Sequence, residues 1–390
     1  MERNRLEVLP GVYLTLVRRG ADEPACFRAA LLRQLSREEA AINALLPEAL
    51  LYGTQRHPDG TLDEALAAMH AAAKPLVRKL GEVQAIGFSA VFDHDPAQFT
   101  ALMQTLAGIL LAPDTRFGQL KREAVNRALE RWDDGADDPF EALIEHLCCF
   151  EDYAVPVPGE RPEAGPNYYQ KLSKHYRTVL SQSPLELYYA GAAPMKLAAQ
   201  TIADCFAALP RGELDFDLGT DIRMNAVEAE PRVLDRAGMQ GACRVSVGWR
   251  LGEVMEEPDP PILEALAGAF RMRAADCVVR LDVHKGILLA QCETDPERAE
   301  ETVSRLRGTM RSLAEAELPA DELARGCAAR VEALRALERD AAALEAFWLE
   351  QDLLGLELAP DEYAAFIQEA PPAAVREAAQ GTECDAVIIE

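Results

Sequence analysis

The sequence predicts an α+β protein built as two domains of related layout. Its 390 residues exceed one ordinary hydrophobic core. Short strand-like runs recur among long helical runs in both halves, and strand-like segments stand near both ends. A polar break at Pro210-Arg211-Gly212-Glu213 divides the chain into 1–210 and 211–390.

In the first half, residues 11–17 (GVYLTLV) alternate apolar with small or polar side chains, as a strand does. Ser36 and Glu39 have capping-box spacing and open a helix through Leu51, which Gly53-Thr54 ends. Thr61 with Glu64 opens a helix predicted to reach Leu80. Residues 84–92 read as a strand. Helices follow over 95–111, 116–131, 139–150 and 167–180, then a strand at 185–189 and a helix over 194–209. The second half restarts with a strand at 243–249 (CRVSVGW) and a helix over 260–273. A buried-strand run (286–292, GILLAQC) leads to helices over 296–316, 319–354 and 360–368, and a strand at 385–389 closes it.

Hydrophobic residues make up 49%, enough for substantial cores. The 65 acidic against 40 basic residues give a net charge of −25. That balance argues against nucleic acid and against an anionic membrane surface as partners, and fits a soluble, acidic bacterial-type surface. No run approaches the roughly 18 apolar residues of a membrane span, and Met1-Glu2-Arg3-Asn4-Arg5 has no apolar leader. A cytoplasmic location is therefore expected. The nine cysteines are scattered and odd in number, without C-x-x-C, so reduced thiols are the expectation, with Cys148 and Cys149 adjacent for packing rather than redox chemistry.

A search for reaction chemistry is mostly negative. H-E-x-x-H, G-x-S-x-G, P-loop and G-x-G-x-x-G patterns are all missing. None of the six histidines has a second at i+4. Glu141, Glu145 and His146 share one predicted helix, a weak metal signal that a solvated helix face explains better.

The informative segment is Ala44-Leu45-Leu46-Pro47-Glu48, followed by Gly53-Thr54. Here the chain resembles the insulinase-like (M16) metallopeptidases, whose zinc helix carries His-x-x-Glu-His before a Gly-Thr. By that resemblance Ala44 stands at the first histidine, Pro47 at the catalytic glutamate and Glu48 at the second histidine. The family's distal glutamate, in a helix before an acidic turn, falls on Ala128 within Arg122–Leu129, ahead of Asp137-Asp138-Pro139. Zinc needs nitrogen, sulfur or carboxylate donors, and hydrolysis needs a base for the bound water. Alanine offers neither. Proline offers no base and removes a helical hydrogen bond at about 3 kcal/mol, which predicts a kink or break. Glu48 alone cannot form a site, so no catalytic, metal or cofactor residue is expected.

The resemblance continues through Tyr176–Leu180 and Leu185–Gly191, at the end of a first family domain. Met239-Gln240-Gly241 with Val245–Arg250 resembles the opening of a second. Asp282-Val283-His284-Lys285-Gly286-Ile287-Leu288-Leu289 is most similar to an inactive branch associated with 5-aminopentanol modification of elongation factor P. Active relatives hold substrate with an Arg and a Tyr from a loop that is shortened here to residues 271–280. The resemblance implies the LuxS/MPP-like metallohydrolase fold: two homologous domains, each a mainly antiparallel sheet with helices on one face, together half of a clamshell. It implies an inactive subunit partnered by an active zinc peptidase of the family around a peptide chamber. Self-association as a stand-alone scaffold or dimer, and an enzyme using Glu141, Glu145 and His146 or a cysteine nucleophile, are the alternatives.

Overall fold

The computed structural model describes residues 2–115, 120–133, 138–163, 167–221, 232–233, 243–251 and 259–390. It is a mixed α/β protein with two sheets, in two compact units.

The first sheet contains β1 (Arg3–Leu9), β2 (Val12–Arg18), β3 (Ala25–Gln34), β4 (Ala71–Leu80), β5 (Val83–Phe92) and β6 (Leu185–Gly191), in the order β1-β2-β6-β3-β5-β4. Only the β2–β6 pair is parallel. The central strands β3, β5 and β6 are buried on both faces, which is why β3 reads as a continuous apolar run rather than an alternating one. One face packs against α1 (Ala40–Leu51), α3 (Phe99–Leu111), α6 (Tyr168–Gln182) and α7 (Met195–Phe206). Phe27, Phe88 and Tyr189 anchor that core.

The second sheet contains β7 (Arg232–Val233), β8 (Cys243–Leu251), β9 (Val278–Asp282), β10 (Ile287–Thr294) and β11 (Thr382–Ile389), ordered β7-β11-β8-β10-β9. Its pairings run parallel, then antiparallel three times. The series β2-β6-β3-β5-β4 has the same senses in the same order, so the two units share one topology although no residue-level repeat is visible. One face carries α8 (Pro260–Arg273) and α9 (Ala299–Glu315), with Trp249 against Phe270. Further out, α10 (Ala320–Ala336) crosses α8 at Gly268 and Gly326. A Cβ on either would lie 2.8 Å from the other's carbonyl oxygen, which only glycine avoids.

The opposite face of each sheet is closed by a helix from the other half of the sequence. The first unit comprises Met1–Ala136, Val155–Gly219 and Arg339–Gly355; the second comprises Asp137–Ala154, Thr220–Glu338 and Leu356–Glu390. Thus α11 (Ala341–Leu353) lies on the first sheet, where Leu349 packs with Ala30, Leu32 and Leu76. In the same way α5 (Glu141–Leu147) lies on the second, where Leu143, Ile144 and Leu147 meet Ile287, Leu289 and Ile388. The two helices hold equivalent places in chain order. The units therefore depart from a single cut at residue 210 by two exchanged segments, and from a one-faced layering by one helix each.

Buried ions fasten both helices. Arg28 of β3, fully buried, donates to the Glu345 carboxylate at 2.8 Å, and Arg78 of β4 donates to the same group at 2.9 Å. Two turns further along α11, Asp352 accepts from Arg3, from Arg5 and from the Thr15 hydroxyl. In the second unit Glu151, just past α5, pairs with Arg250 of β8 and, at 2.6 Å, with the buried Lys285.

Local expectations differ in three places. The helix expected over 61–80 is only α2 (Leu62–Ala67); His70 adopts a positive φ of 52° and the chain turns into β4. The Ala-rich run AAAKPLVRKL has helix-forming composition, yet it pairs with β5 along its full length, and Pro75 is tolerated because β4 is an edge strand. The helix expected over 319–354 is two, α10 and α11, separated at Asp340, whose carboxylate accepts from the amides of Ala342 and Ala343. Strands β1, β3, β7 and β9 and helix α13 (Pro372–Gln380) give no defined sequence signal, whereas α12 (Pro360–Gln368) stands where the sequence predicts it. Met239, Gln240, Gly241, Asp137 and residues 116–119 of an expected helix lie outside the described residues.

Glu345→Leu leaves Arg28 buried without its counter-ion and is expected to destabilise the protein by about 3–5 kcal/mol. The double variant Arg28→Met/Glu345→Leu is expected to recover most of that loss, as read by urea denaturation.

Candidate functional site

The residues aligned with the family's zinc site lie on α1 and on α4 (Arg122–Asp133), and the fold packs these two helices together. Ala44, Pro47 and Ala128 are buried in the shared core, with Leu45, Leu46, Ala124 and Val125 around them. Glu48, at the rim of that core, keeps its side chain 16% exposed.

The break expected at Pro47 does not occur: α1 is one continuous helix from Ala40 to Leu51. Nearly every one of its side chains is buried, and this all-round packing offsets the missing hydrogen bond to the Asn43 carbonyl. The Asn43 side chain pins the same turn. It donates to Gln84 at 3.0 Å and lies 2.6 Å from His175 Nε2, while Gln84 donates to the carbonyls of Ala40 and Val157. Burial depresses the His175 pKa below its ordinary 6.5, reinforced by Arg33 and Lys171 and opposed by Glu39. Because the Asn43 side-chain oxygen can only accept, the ring donates Nε2–H to it. After α1, Thr54 receives the His57 amide on its hydroxyl and bridges to Pro113, fixing the turn that the Gly-Thr pair announces.

What faces the helix pair is an ion pair. Arg131 of α4 donates to both oxygens of Glu48, at 2.9 and 3.0 Å. A pocket of about 480 Å³ opens there, lined by Glu48, Asp63, Lys74, Arg127 and Arg131 among others. Its donor set is two carboxylates and three side-chain cations, with no imidazole or thiolate. Arg127 approaches Asp63 at 3.7 Å. Such a set fits zinc poorly: the position next to the surviving carboxylate is taken by a guanidinium, and three positive charges oppose a divalent ion. The outer edge of β4, which contributes Lys74 and Pro75 to the lining, borders the pocket.

Elsewhere, Glu141 and Glu145 point to solvent from α5 while Leu143, Ile144 and Leu147 face the core, as a solvated helix face requires. Cys148 is buried and Cys149 exposed. The motif around His284 is a hairpin anchor: Gly286 makes the turn with φ 64°, Tyr153 donates to Asp282 at 2.7 Å and Lys285 meets Glu151. The expectation of unpaired thiols fails at one pair. Cys277 and Cys292 are disulfide-bonded in the second unit, brought opposite each other by strand pairing that their spacing in sequence does not announce. With Asp276 they are the one group of three potential metal-ligating side chains clustered within 4.8 Å among the described residues.

No family model matches the chain. A curated relative, named "Probable inactive metalloprotease YmfF" from Bacillus subtilis (strain 168), is 24% identical over 70% of this chain and 71% of its own length. Among solved structures, a conserved protein from Enterococcus faecalis V583 superposes with a TM-score of 0.79 at 16% identity, over 99% of this chain and 98% of that one. A peptidase M16 inactive domain from Pseudomonas fluorescens superposes with a TM-score of 0.78 at 11% identity, over 100% and 98%. The fold is that of the M16-like peptidases, as the resemblance in sequence implied. Within that class, the similarity in sequence is to the B. subtilis metalloprotease homologue.

Because the folded pKa of His175 lies below 6.5, the unfolded chain takes up its proton first. Stability is expected to hold above pH 6.5 and to decline as pH falls through the folded value, with buried His284 adding in the same direction. His175→Asn is expected to flatten part of this slope in denaturant titrations run from pH 7.5 to 5.5.

Proposed function

We propose that this chain is a catalytically inactive M16-like protein that acts as the non-catalytic partner of an active zinc peptidase of the same fold. One observation carries the reading: where α1 and α4 pack together, Glu48 is tied to Arg131, and Ala44, Pro47 and Ala128, which the resemblance aligns with the family's ligands and base, carry no donor group. A fold kept intact around a position whose one carboxylate is held by a guanidinium supports a role in binding rather than bond cleavage. The pocket beside the β4 edge supports a peptide-holding surface, since an edge strand offers unpaired backbone groups to an extended chain. The names of the relatives, a probable inactive metalloprotease and a peptidase M16 inactive domain, support the absence of catalysis in that reading.

The purified protein is expected to bind no stoichiometric zinc and to cleave no peptide, by metal analysis and a peptide-library assay. About one zinc per chain, lost together with activity in Glu48→Ala, overturns the inactive reading. Affinity purification from the native cell is expected to recover a zinc-competent chain of the same fold. Recovery of self-pairs alone replaces the partner role with that of a homodimeric scaffold.

A further inference from the structure

The second unit carries an arrangement that the reading above does not use. Cys277 stands one step beyond the Gln291–Val278 pair of the β9–β10 ladder, directly opposite Cys292. Their Cα atoms are 4.6 Å apart, the spacing of a non-hydrogen-bonded cross-strand pair. The two sulfurs are unequal. Cys292 is 2% exposed, whereas Cys277 is only half-buried at the start of an edge strand. Arg305 of α9 lies against both, with Nη2 3.5 Å from the Cys292 sulfur and 3.7 Å from that of Cys277. Asp276 holds the guanidinium there through two hydrogen bonds of 2.9 and 2.7 Å, and its carboxylate is also 3.7 Å from the Cys277 sulfur. A cavity of about 370 Å³, lined in part by Asp276, Arg298, Thr302 and Arg305, opens beside the pair.

We propose that Cys277 and Cys292 form a reversible dithiol–disulfide site that exchanges with low-molecular-weight thiols, with Cys277 as the sulfur attacked and Arg305 as the group that stabilises the departing Cys292 thiolate. A structural disulfide needs neither a cation at its sulfurs nor an approach from solvent. A reactive one is helped by both, because exchange accelerates when the leaving thiolate is stabilised and the attacked sulfur is accessible. An Asp276–Cys277–Cys292 metal site is disfavoured by the same guanidinium, which occupies the neighbourhood a cation would need.

The exchange balances. An incoming thiolate RS⁻ attacks Cys277 Sγ; the Cys277–Cys292 bond breaks, its electron pair leaves on Cys292 and a Cys277–S–S–R mixed disulfide forms. A second RS⁻ attacks the R-bearing sulfur, releasing RSSR and the Cys277 thiolate. Both protein thiolates take up protons from water, with Asp276 placed to accept a hydrogen bond from the Cys277 thiol. The net change is reduction of one protein disulfide and oxidation of two RSH to RSSR; the reverse uses RSSR as oxidant.

The test equilibrates the intact protein with graded ratios of reduced and oxidised glutathione. Free thiols are then trapped with iodoacetamide and mapped by mass spectrometry, while circular dichroism reports folding. Cys277 and Cys292 are expected to become labelled together at one midpoint, with the fold retained and Cys26, Cys148, Cys243 and Cys327 still protected. Resistance of the pair until the protein unfolds overturns the proposal, as does labelling of both thiols even in excess oxidised glutathione. Cys292→Ser is expected to accumulate one glutathione on Cys277; its absence overturns the assignment of the attacked sulfur. Arg305→Gln is expected to slow reduction several-fold while Arg298→Gln does not, and equal rates in Arg305→Gln and the unaltered protein remove Arg305 from the mechanism.

Discussion

The buried carboxylate of Glu345 is the point on which the first unit closes. A sheet whose central strands are apolar on both sides must be covered on both sides, and the helices beside β3 and β5 in sequence cover only one. The second face is closed by α11, and its contact is partly ionic: Arg28 stands fully buried on β3 and has to meet an acid. Supplying that acid from a helix more than 300 residues later fixes which segment closes the face and in which register. Glu151 does the same for Arg250 and Lys285 in the second unit. Purely apolar helices would seat on either face with little preference; a buried charge that matches one partner removes that freedom.

The same economy of charge explains the contact between α1 and α4 at Glu48. Glu48 stands near an apolar helix junction, where an unpaired carboxylate is unfavourable. Arg131 resolves this through Nη1, which donates to both carboxylate oxygens. The arrangement is local and partly exposed, so it adds little to stability, about 1 kcal/mol or less. Its importance is chemical: the cation beside Glu48 is a side chain, fixed in the chain and unable to activate water.

Much of this was legible in the sequence, and the exceptions have physical causes. The strands β2, β5, β6, β8, β10 and β11, and the helices α1, α3, α6 to α9 and α12, announce themselves through alternation, helical periodicity and caps. Ala44, Pro47, Glu48 and Ala128 are singled out by resemblance to a ligand pattern, and the fold places them on two helices that pack together. What was hidden depends on distant partners. ACFRAALLRQ and AAAKPLVRKL carry no alternation, because one is buried on both faces and the other draws its strand character from pairing with β5. The start of α11 at Asp340 and its passage to the first unit follow from where Arg28 and Arg78 stand, which no local window contains. Arg131 was unmarked for the same reason: its role is visible only once α4 lies against α1. Cys277 and Cys292, 15 residues apart, become neighbours through the β9–β10 register alone.

The crossing of segments has a consequence for how the protein is made. Synthesis proceeds from the N-terminus, and independent domains ordinarily fold one after another as they leave the ribosome. Here the first sheet has all six strands once residue 191 has emerged, yet its apolar back and the Arg28 guanidinium stay bare until residues 341–353 arrive. At the roughly 5–20 residues per second of translation, that interval lasts on the order of ten seconds or more. During it the nascent chain presents an uncovered β-surface, the kind of transiently exposed apolar face that favours aggregation.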